Sequence, residues 1–333
     1  MNLRRPLLLI LASLLPCLPA QARAFVERPD VQSFISDVAR RNQLPEGELY
    51  AALAKATPLP RVIELIRPPS NPGIRSWRRY RGNFIDKTRI SGGVKFWQEH
   101  QAALAEASKR TGVPAEIIVG IIGVETVYGR NTGNFNTLSA LATLAFDYPP
   151  RADLFRRELE ALFILAREQG TPVSSYTGSY AGALGVPQFL PSSVRSFAVD
   201  GDGDGRIDLK ASTRDAIFSV AAFLQKHGWQ AGQPIVMPAY ANDPAEAQRL
   251  VNKGIEPLID AQILPDYGMR SIEPLPAGSK VTVVDLITPD EPTEYWLGLQ
   301  NFYVITRYNR SSFYAMVVHD LAQAVKQAYQ PSP

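Results

Sequence analysis

Glu125 closes an apolar run. Ile118, Ile121 and Ile122 precede it by 7, 4 and 3 residues, so at 3.6 residues per turn all four side chains share one helical stripe. A carboxyl in apolar surroundings loses hydration and holds its proton more tightly. It can then serve as a general acid near neutral pH. On this pattern alone a plainer reading ranks first: Glu125 at a partly wet helix end, paired with Arg130, because ion pairs also set carboxylates beside apolar residues. Gly120 and Gly123 each cost the helix roughly 1 kcal/mol relative to Ala. They point to close backbone approach, for a site or for tight packing.

Two further clusters carry polar side chains on small-residue backbone. The run from Gly178 to Ser193 contains Gly178, Gly182, Gly185, Pro187 and Pro191, too many breakers for an ordinary helix. Its small residues let backbone approach a ligand, while Ser179, Gln188 and the Tyr side chains supply hydrogen bonds. The plainer reading is a tight loop, with Ser192 or Ser193 starting the next helix. The segment Thr306–Ala315 holds Tyr308, Asn309 and Tyr314. Its plainer reading is a strand end followed by an Asn309 N-cap.

An acidic loop points to a metal. Asp200, Asp202, Asp204, Gly205 and Asp208 match positions 1, 3, 5, 6 and 9 of an EF-hand loop, and Arg206 would offer its carbonyl at position 7. Position 12, normally a bidentate Glu, is Ala211. Four Asp within nine residues repel one another without a cation, so calcium is preferred to a bare acidic turn. Lying outside the other clusters, the ion would be structural.

The elements that must position these residues are mostly helical. Asp30 is expected to cap a helix carrying Val31, Phe34, Ile35 and Val38, and a second helix runs from Pro45 to about Ala56. Pro58, Pro60, Pro68, Pro69 and Pro72 predict a stiff connector. Gly92-Gly93 should precede a helix through Trp97 and Leu104, stopped near Gly112. Pro114 starts the next, Ala115 to about Tyr128. Helical patterns follow over 137–146, 151–169 and 213–227, and a last one covers about 310–328. Residues 229–300 hold nine Pro, and their runs Ile235–Met237 and Val281–Val284 suit short strands. The fold class is α+β, mainly α, with a small β-containing insertion before the last helix.

Composition narrows the functions. At 333 residues, 45% hydrophobic and 20% charged, the chain reads as a soluble globular protein of about two domains. Its net charge is +3; removing residues 1–24, with Arg4, Arg5 and Arg23, leaves 3 − 3 = 0. A neutral chain is poorly suited to a polyanion, so nucleic acid is not an expected partner. One Cys excludes an intramolecular disulfide and any multi-Cys metal site. Arg4 and Arg5, the apolar run Leu7–Leu15 and the small residues after it form an export signal, 1–24, cleaved after Ala22 or Ala24. Leu14-Leu15-Pro16-Cys17 looks a little like a lipobox, but Pro16 stands where such boxes have a small residue. A soluble periplasmic monomer is therefore preferred, with a lipid anchor to the outer membrane at Cys17 as the alternative.

Glu125-Thr126-Val127-Tyr128-Gly129, the 178–193 run and Thr306–Ala315, in that order, resemble the signature blocks of the membrane-bound lytic murein transglycosylase B family, glycoside hydrolase family 103. The similarity extends from about Phe34 to Ala324. The resemblance implies a lysozyme-like, mainly helical fold: a helical lobe over 25–112, a catalytic core over 113–228 and 301–328, and a small lobe over 229–300. It implies cleavage of the β-1,4 bond between N-acetylmuramic acid and N-acetylglucosamine in peptidoglycan glycan strands, leaving a 1,6-anhydro end. No cofactor is needed for that reaction. By position, Glu125 matches the single catalytic acid/base. Tyr80, Ser179, Gln188, Tyr308, Asn309 and Tyr314 match glycan-cleft residues. Leu154 and Phe223 depart from the Tyr expected there. Asp215, before Ala216-Ile217, matches the Asp that closes the family's longer calcium loop. Two other readings stay open: a hydrolysing muramidase, whose second carboxylate would be Asp147 or Asp153, and a non-catalytic peptidoglycan-binding protein.

Overall fold

The computed structural model describes residues 25–68, 73 and 75–329. The expected export signal, its cleavage sites and Cys17 lie outside the described residues. The chain divides into two compact units, residues 1–58 and 59–333.

In the first unit α1 (Pro29–Asn42) packs on α2 (Glu46–Lys55). Val31, Phe34, Ile35 and Val38 are buried, as their 3.6-residue spacing predicts. Asp30 is not the cap. Pro29, with φ already set for a helix, takes the first helical position and moves the cap to Arg28. Asp30 falls in the first turn, where it accepts bonds of 3.2 and 3.0 Å from the Arg28 guanidinium.

The second unit begins with α3 (Pro60–Ile66), a short helix inside the predicted connector, started by Pro60. Then come α4 (Trp77–Gly82), α5 (Lys87–Glu99), α6 (Gln101–Thr111) and α7 (Ala115–Thr126). Gly92 and Gly93 lie within α5 rather than before it. A Cβ on Gly93 would come within 2.5 Å of both the Tyr128 hydroxyl and Val325, so the glycine serves packing instead of ending a helix. The continuous helix expected through Leu104 breaks at His100, and Gly112 closes α6 in the left-handed region as predicted.

The chain continues through β1 (Phe135–Asn136), α8 (Thr137–Asp147), α9 (Ala152–Glu168) and β2 (Thr177–Gly178), which pairs with β1. Next are α10 (Pro191–Phe197) and α11 (Thr213–Lys226). The 229–300 segment supplies β3 (Val236–Ala241), α12 (Pro244–Val251), β4 (Ile259–Asp260), β5 (Met269–Ser271), β6 (Lys280–Leu286) and β7 (Glu294–Gly298). These strands form an antiparallel sheet in the order β4-β6-β7-β3-β5. Phe302–Thr306 belongs to a helix, α13 (Gln300–Thr306), not to a strand end. Ser311, not Asn309, caps the last helix, α14 (Ser312–Ala328), accepting from the Tyr314 N–H.

Helix α7 is the axis of this unit. In α7 Ile117, Ile118, Ile121 and Ile122 are at most 1% exposed. A helix apolar on all sides must be surrounded, and α14, α5, α6 and α11 all pack on it. Gly120 lets α14 approach: a Cβ there would sit 2.9 Å from the Val318 carbonyl oxygen.

Candidate active site

Glu125 occupies the last turn of α7, half-buried at the end of the isoleucine stripe. Burial pushes its carboxyl up to about 7 from 4.5, opposed by a hydrogen bond from the Tyr314 hydroxyl, which donates to Oε1 at 2.6 Å. The negative end of the helix dipole also disfavours charge here. Arg130, exposed beyond the turn, is not its partner. The plainer sequence reading thus gives way to a carboxyl that is part acid and part base near neutrality.

An aromatic wall faces the carboxyl. Tyr308 and Tyr314 stack at 6.4 Å between centroids, 16° apart in plane, and the Tyr308 hydroxyl donates to the Pro187 carbonyl at 2.7 Å. Burial and the charge of Glu125 hold both phenols well above their usual range, so both act as donors. Tyr80, on α4, also feels the Glu125 charge. It packs on Phe313 at 5.5 Å and on Trp77 at 6.4 Å.

Groups without a sequence assignment fix α4. Arg75 grips the buried Asp285 of β6 with bonds of 2.9 and 3.0 Å, and its guanidinium lies 4.4 Å above the Phe313 ring. The Trp77 N–H donates to Ile287 at 2.7 Å. Asp285 lies in an apolar strand and Arg75 among prolines 210 residues earlier, so neither position carries a local signal.

The 178–190 loop forms the other side. Thr126, fully buried, donates to the Val186 carbonyl at 2.9 Å and accepts from Gly129 N–H at 3.0 Å, tying the end of α7 to this loop. Val127 and Tyr128 follow in the left-handed region, with φ of 50° and 60°. The Tyr128 ring then fills the notches at Gly92, Gly93 and Gly123 and bonds the Arg89 carbonyl at 2.9 Å. Gln188 is itself left-handed, φ 52°, held by bonds from its amide to the Thr132 and Gly185 carbonyls at 3.1 and 2.9 Å. A non-glycine residue kept there by its neighbours is typical of binding loops. The Ser179 hydroxyl accepts from Ala183 N–H at 3.1 Å and closes the turn. Asn309 is exposed in the turn before α14. Phe223 is buried against Tyr308 at 4.8 Å and Phe189 at 5.5 Å, a place that needs no hydroxyl.

In the acidic loop, carboxylate oxygens of Asp200, Asp202 and Asp204 lie within 4.8 Å of one another. Asp208 and Asp215 turn elsewhere. Asp208 accepts from Lys210 and Ala211 N–H groups at 2.9 and 2.8 Å. Asp215, 1% exposed, accepts from Gly201 and Asp208 N–H groups at 2.8 and 2.7 Å. Arg206 donates its N–H to Asp204 at 2.8 Å.

Comparison with known proteins identifies the family. Residues 27–323 match the family described as transglycosylase SLT domain. The chain is 39% identical over 315 residues to membrane-bound lytic murein transglycosylase B of Escherichia coli K12, covering 91% of this chain and 84% of that protein. The crystal structure of the catenated lytic transglycosylase SltB1 from Pseudomonas aeruginosa superposes with a TM-score of 0.86, at 46% identity, over 91% of this chain and 99% of that one. The Escherichia coli lytic transglycosylase Slt35 in complex with calcium gives 0.82, at 39% identity, over 91% and 95%. A family match over residues 27–323 and a fold shared almost end to end with these enzymes, with a glutamate of raised proton affinity beside an aromatic wall, place the chain in the lytic murein transglycosylase family, as an enzyme that cleaves peptidoglycan.

Proposed function

We propose that Glu125 is the sole acid/base of a cleavage that ends each cut strand in 1,6-anhydro-N-acetylmuramic acid. The observation that carries this reading is the Glu125–Tyr314 pair: a carboxyl raised to about 7, with one hydroxyl at 2.6 Å. Among the described residues, no second carboxylate contributes to that rise. Protonated Glu125 gives its proton to the glycosidic oxygen as the C1–O bond breaks. The substrate's own 2-acetamido oxygen stabilises C1, with Asn309 holding the acetamido group. The C6 hydroxyl then attacks C1 and its proton returns to Glu125. One group acts as acid and then base. Tyr80, Ser179, Gln188, Tyr308 and Tyr314 bind the sugars of the glycan strand along this cleft.

Mass spectrometry of digested sacculi tests the assignment. Anhydro ends are expected, and reducing ends would mean a hydrolysing muramidase instead. Glu125→Gln should lower the rate by about 10²–10⁴-fold or more, with the fold intact. A variant keeping over about a tenth of the wild-type rate is incompatible with that general acid/base role.

Two finer points belong to the same reading. The loop from Asp200 to Asp215 is a structural calcium site, supported by three converging carboxylates and by the calcium-bound relative. Asp200, Asp202 and Asp204 are the side-chain ligands, Arg206 adds its carbonyl, and Asp208 and Asp215 complete the set if their carboxylates rotate or act through water. The protein is also exported, on the strength of residues 1–24 and a wall-located substrate. Intact mass should give a mature chain starting at Arg23 or Phe25; a diacylglyceryl group on Cys17 would make it lipid-anchored.

A further inference from the structure

The five-stranded sheet presents one face to the catalytic core, and the helices cover only part of it. Side chains alternate between faces along a strand. The pairings Pro238↔Trp296 and Val284↔Trp296 set Val284, Pro238 and Trp296 on one face, and Leu286, Glu294 and Tyr240 follow at two-residue steps. Val236, Val284 and Leu286 are sealed in the core. Farther along, Pro238 and Trp296 are only half-buried, Glu294 is exposed, and Tyr240 is 43% exposed.

These open residues, with Pro244 and Pro292, line a hollow of about 430 Å³. A second hollow of about 410 Å³ shares Glu294 and Trp296 with it and continues to Trp77, Arg78, Arg81 and Asp320. Each volume lies within the roughly 300–1,000 Å³ of ligand sites. Both are lined by Glu294 and Trp296, as the two arms of one proposed groove. Its cations are neutralised, Arg78 by Glu291 and Arg81 by Asp320 at 2.6 Å. Among the described residues Glu294 makes no ion pair, which leaves it as a free acceptor at the junction.

We propose that this groove is a second glycan-binding site, for the neutral, N-acetylated sugar backbone of the polymer cut in the cleft. Flat Trp, Tyr and Pro faces suit the C–H faces of pyranose rings, and exposed aromatic patches of this kind mark binding surfaces. Glu294 and Thr288 supply hydrogen bonds to hydroxyl and amide groups. With its cations paired and Glu294 free, the groove does not suit a polyanion. The groove adjoins the cleft through α4, whose Tyr80 lies on the Glu125 side while Trp77, stacked on Tyr80, lines the groove. A strand held there raises the effective concentration of the next scissile bond. The proposal rests on the peptidoglycan-cleaving function and adds a holding site to it.

The test uses the full chain with isolated sacculi and, separately, a short soluble muropeptide. Trp296→Ala and Tyr240→Ala should each weaken retention on sacculi, Trp296→Ala by about tenfold or more. Turnover of the short muropeptide should stay within about twofold, because it fills only the cleft. If Trp296→Ala fails to fold by its melting curve, Tyr240→Ala and Glu294→Gln at the surface decide the matter. Unchanged retention in the folded variants overturns the proposal. So does retention that collapses with added salt, which would mean a charged ligand such as the stem peptide. Loss of anhydro products from the wild type, with retention still dependent on Trp296, would instead refute the cleavage mechanism and leave the groove standing.

Discussion

Tyr314 and burial pull the Glu125 proton in opposite directions, and in the proposed mechanism their balance sets the pH at which the enzyme works. The hydroxyl stabilises the carboxylate, so removing it must raise the affinity of Glu125 for its proton above the present value of about 7. Because the protonated form starts the proposed reaction, kcat/KM should fall as pH rises through that value. Tyr314→Phe should move this basic limb to higher pH while lowering the maximum rate. A limb that stays in place, or moves down, would show that the bond does not tune the acid. The isoleucine stripe made Glu125 legible as a candidate, because periodicity reports the surroundings a helix gives its own residues. It did not reveal the partner. Arg130 is five residues away and Tyr314 is 189 away, and only the packing of α14 on α7 chooses between them. Ser179 accepts the Ala183 N–H within the loop and keeps its own O–H free to donate, as the proposed glycan contact requires.

Glycine and acidic residues show where element-level reading succeeds and where it misleads. Gly112, with positive φ, ends a helix where predicted, and Gly228, also with positive φ, follows the helix expected over 213–227. The sequence pattern makes Gly92 and Gly93 a boundary, yet they lie mid-helix because the Tyr128 ring needs their missing side chains. That need is set by a residue outside the helix and leaves no trace in the local pattern. Phe302–Thr306 is as apolar as a strand but forms α13, since a short apolar run has no period to separate the two. The acidic loop between α10 and α11 makes a firmer prediction. A cation bound only by the folded chain stabilises it by about 2.7 kcal/mol at a hundredfold excess over Kd. The melting temperature should therefore rise with calcium and fall with chelator, and Asp204→Asn should blunt the response. Melting curves that coincide in calcium and chelator would leave the loop an acidic turn. Asp215 is a poor choice for that test. Its carboxylate already holds the Gly201 and Asp208 N–H groups, so removing it would disturb the loop with or without a metal.

Across the whole molecule, the mainly helical class and the strand-bearing segment near the C-terminus were legible from period and proline content. The link from sheet to cleft was not. The Arg75–Asp285 pair ties β6 to the segment leading into α4, so the small sheet helps hold the aromatic wall as well as carrying an open face. The isoleucine collar around Glu125 has a further consequence, in folding thermodynamics. The folded chain keeps this proton up to about pH 7, whereas a carboxyl of ordinary value releases it near 4.5. Below 4.5 both states are protonated and the group contributes nothing to the difference. As pH rises from there the unfolded state binds fewer protons, so stability falls through that window and levels off above it. The full loss is of order 3 kcal/mol. Glu125→Gln has no proton to release. That variant should therefore melt at about the same temperature as wild type near pH 4.5 and progressively higher than wild type towards pH 8. Parallel melting curves at every pH would contradict the burial argument. The chain is then least stable, relative to its Glu125→Gln variant, in the charge state that the proposed catalytic cycle must visit.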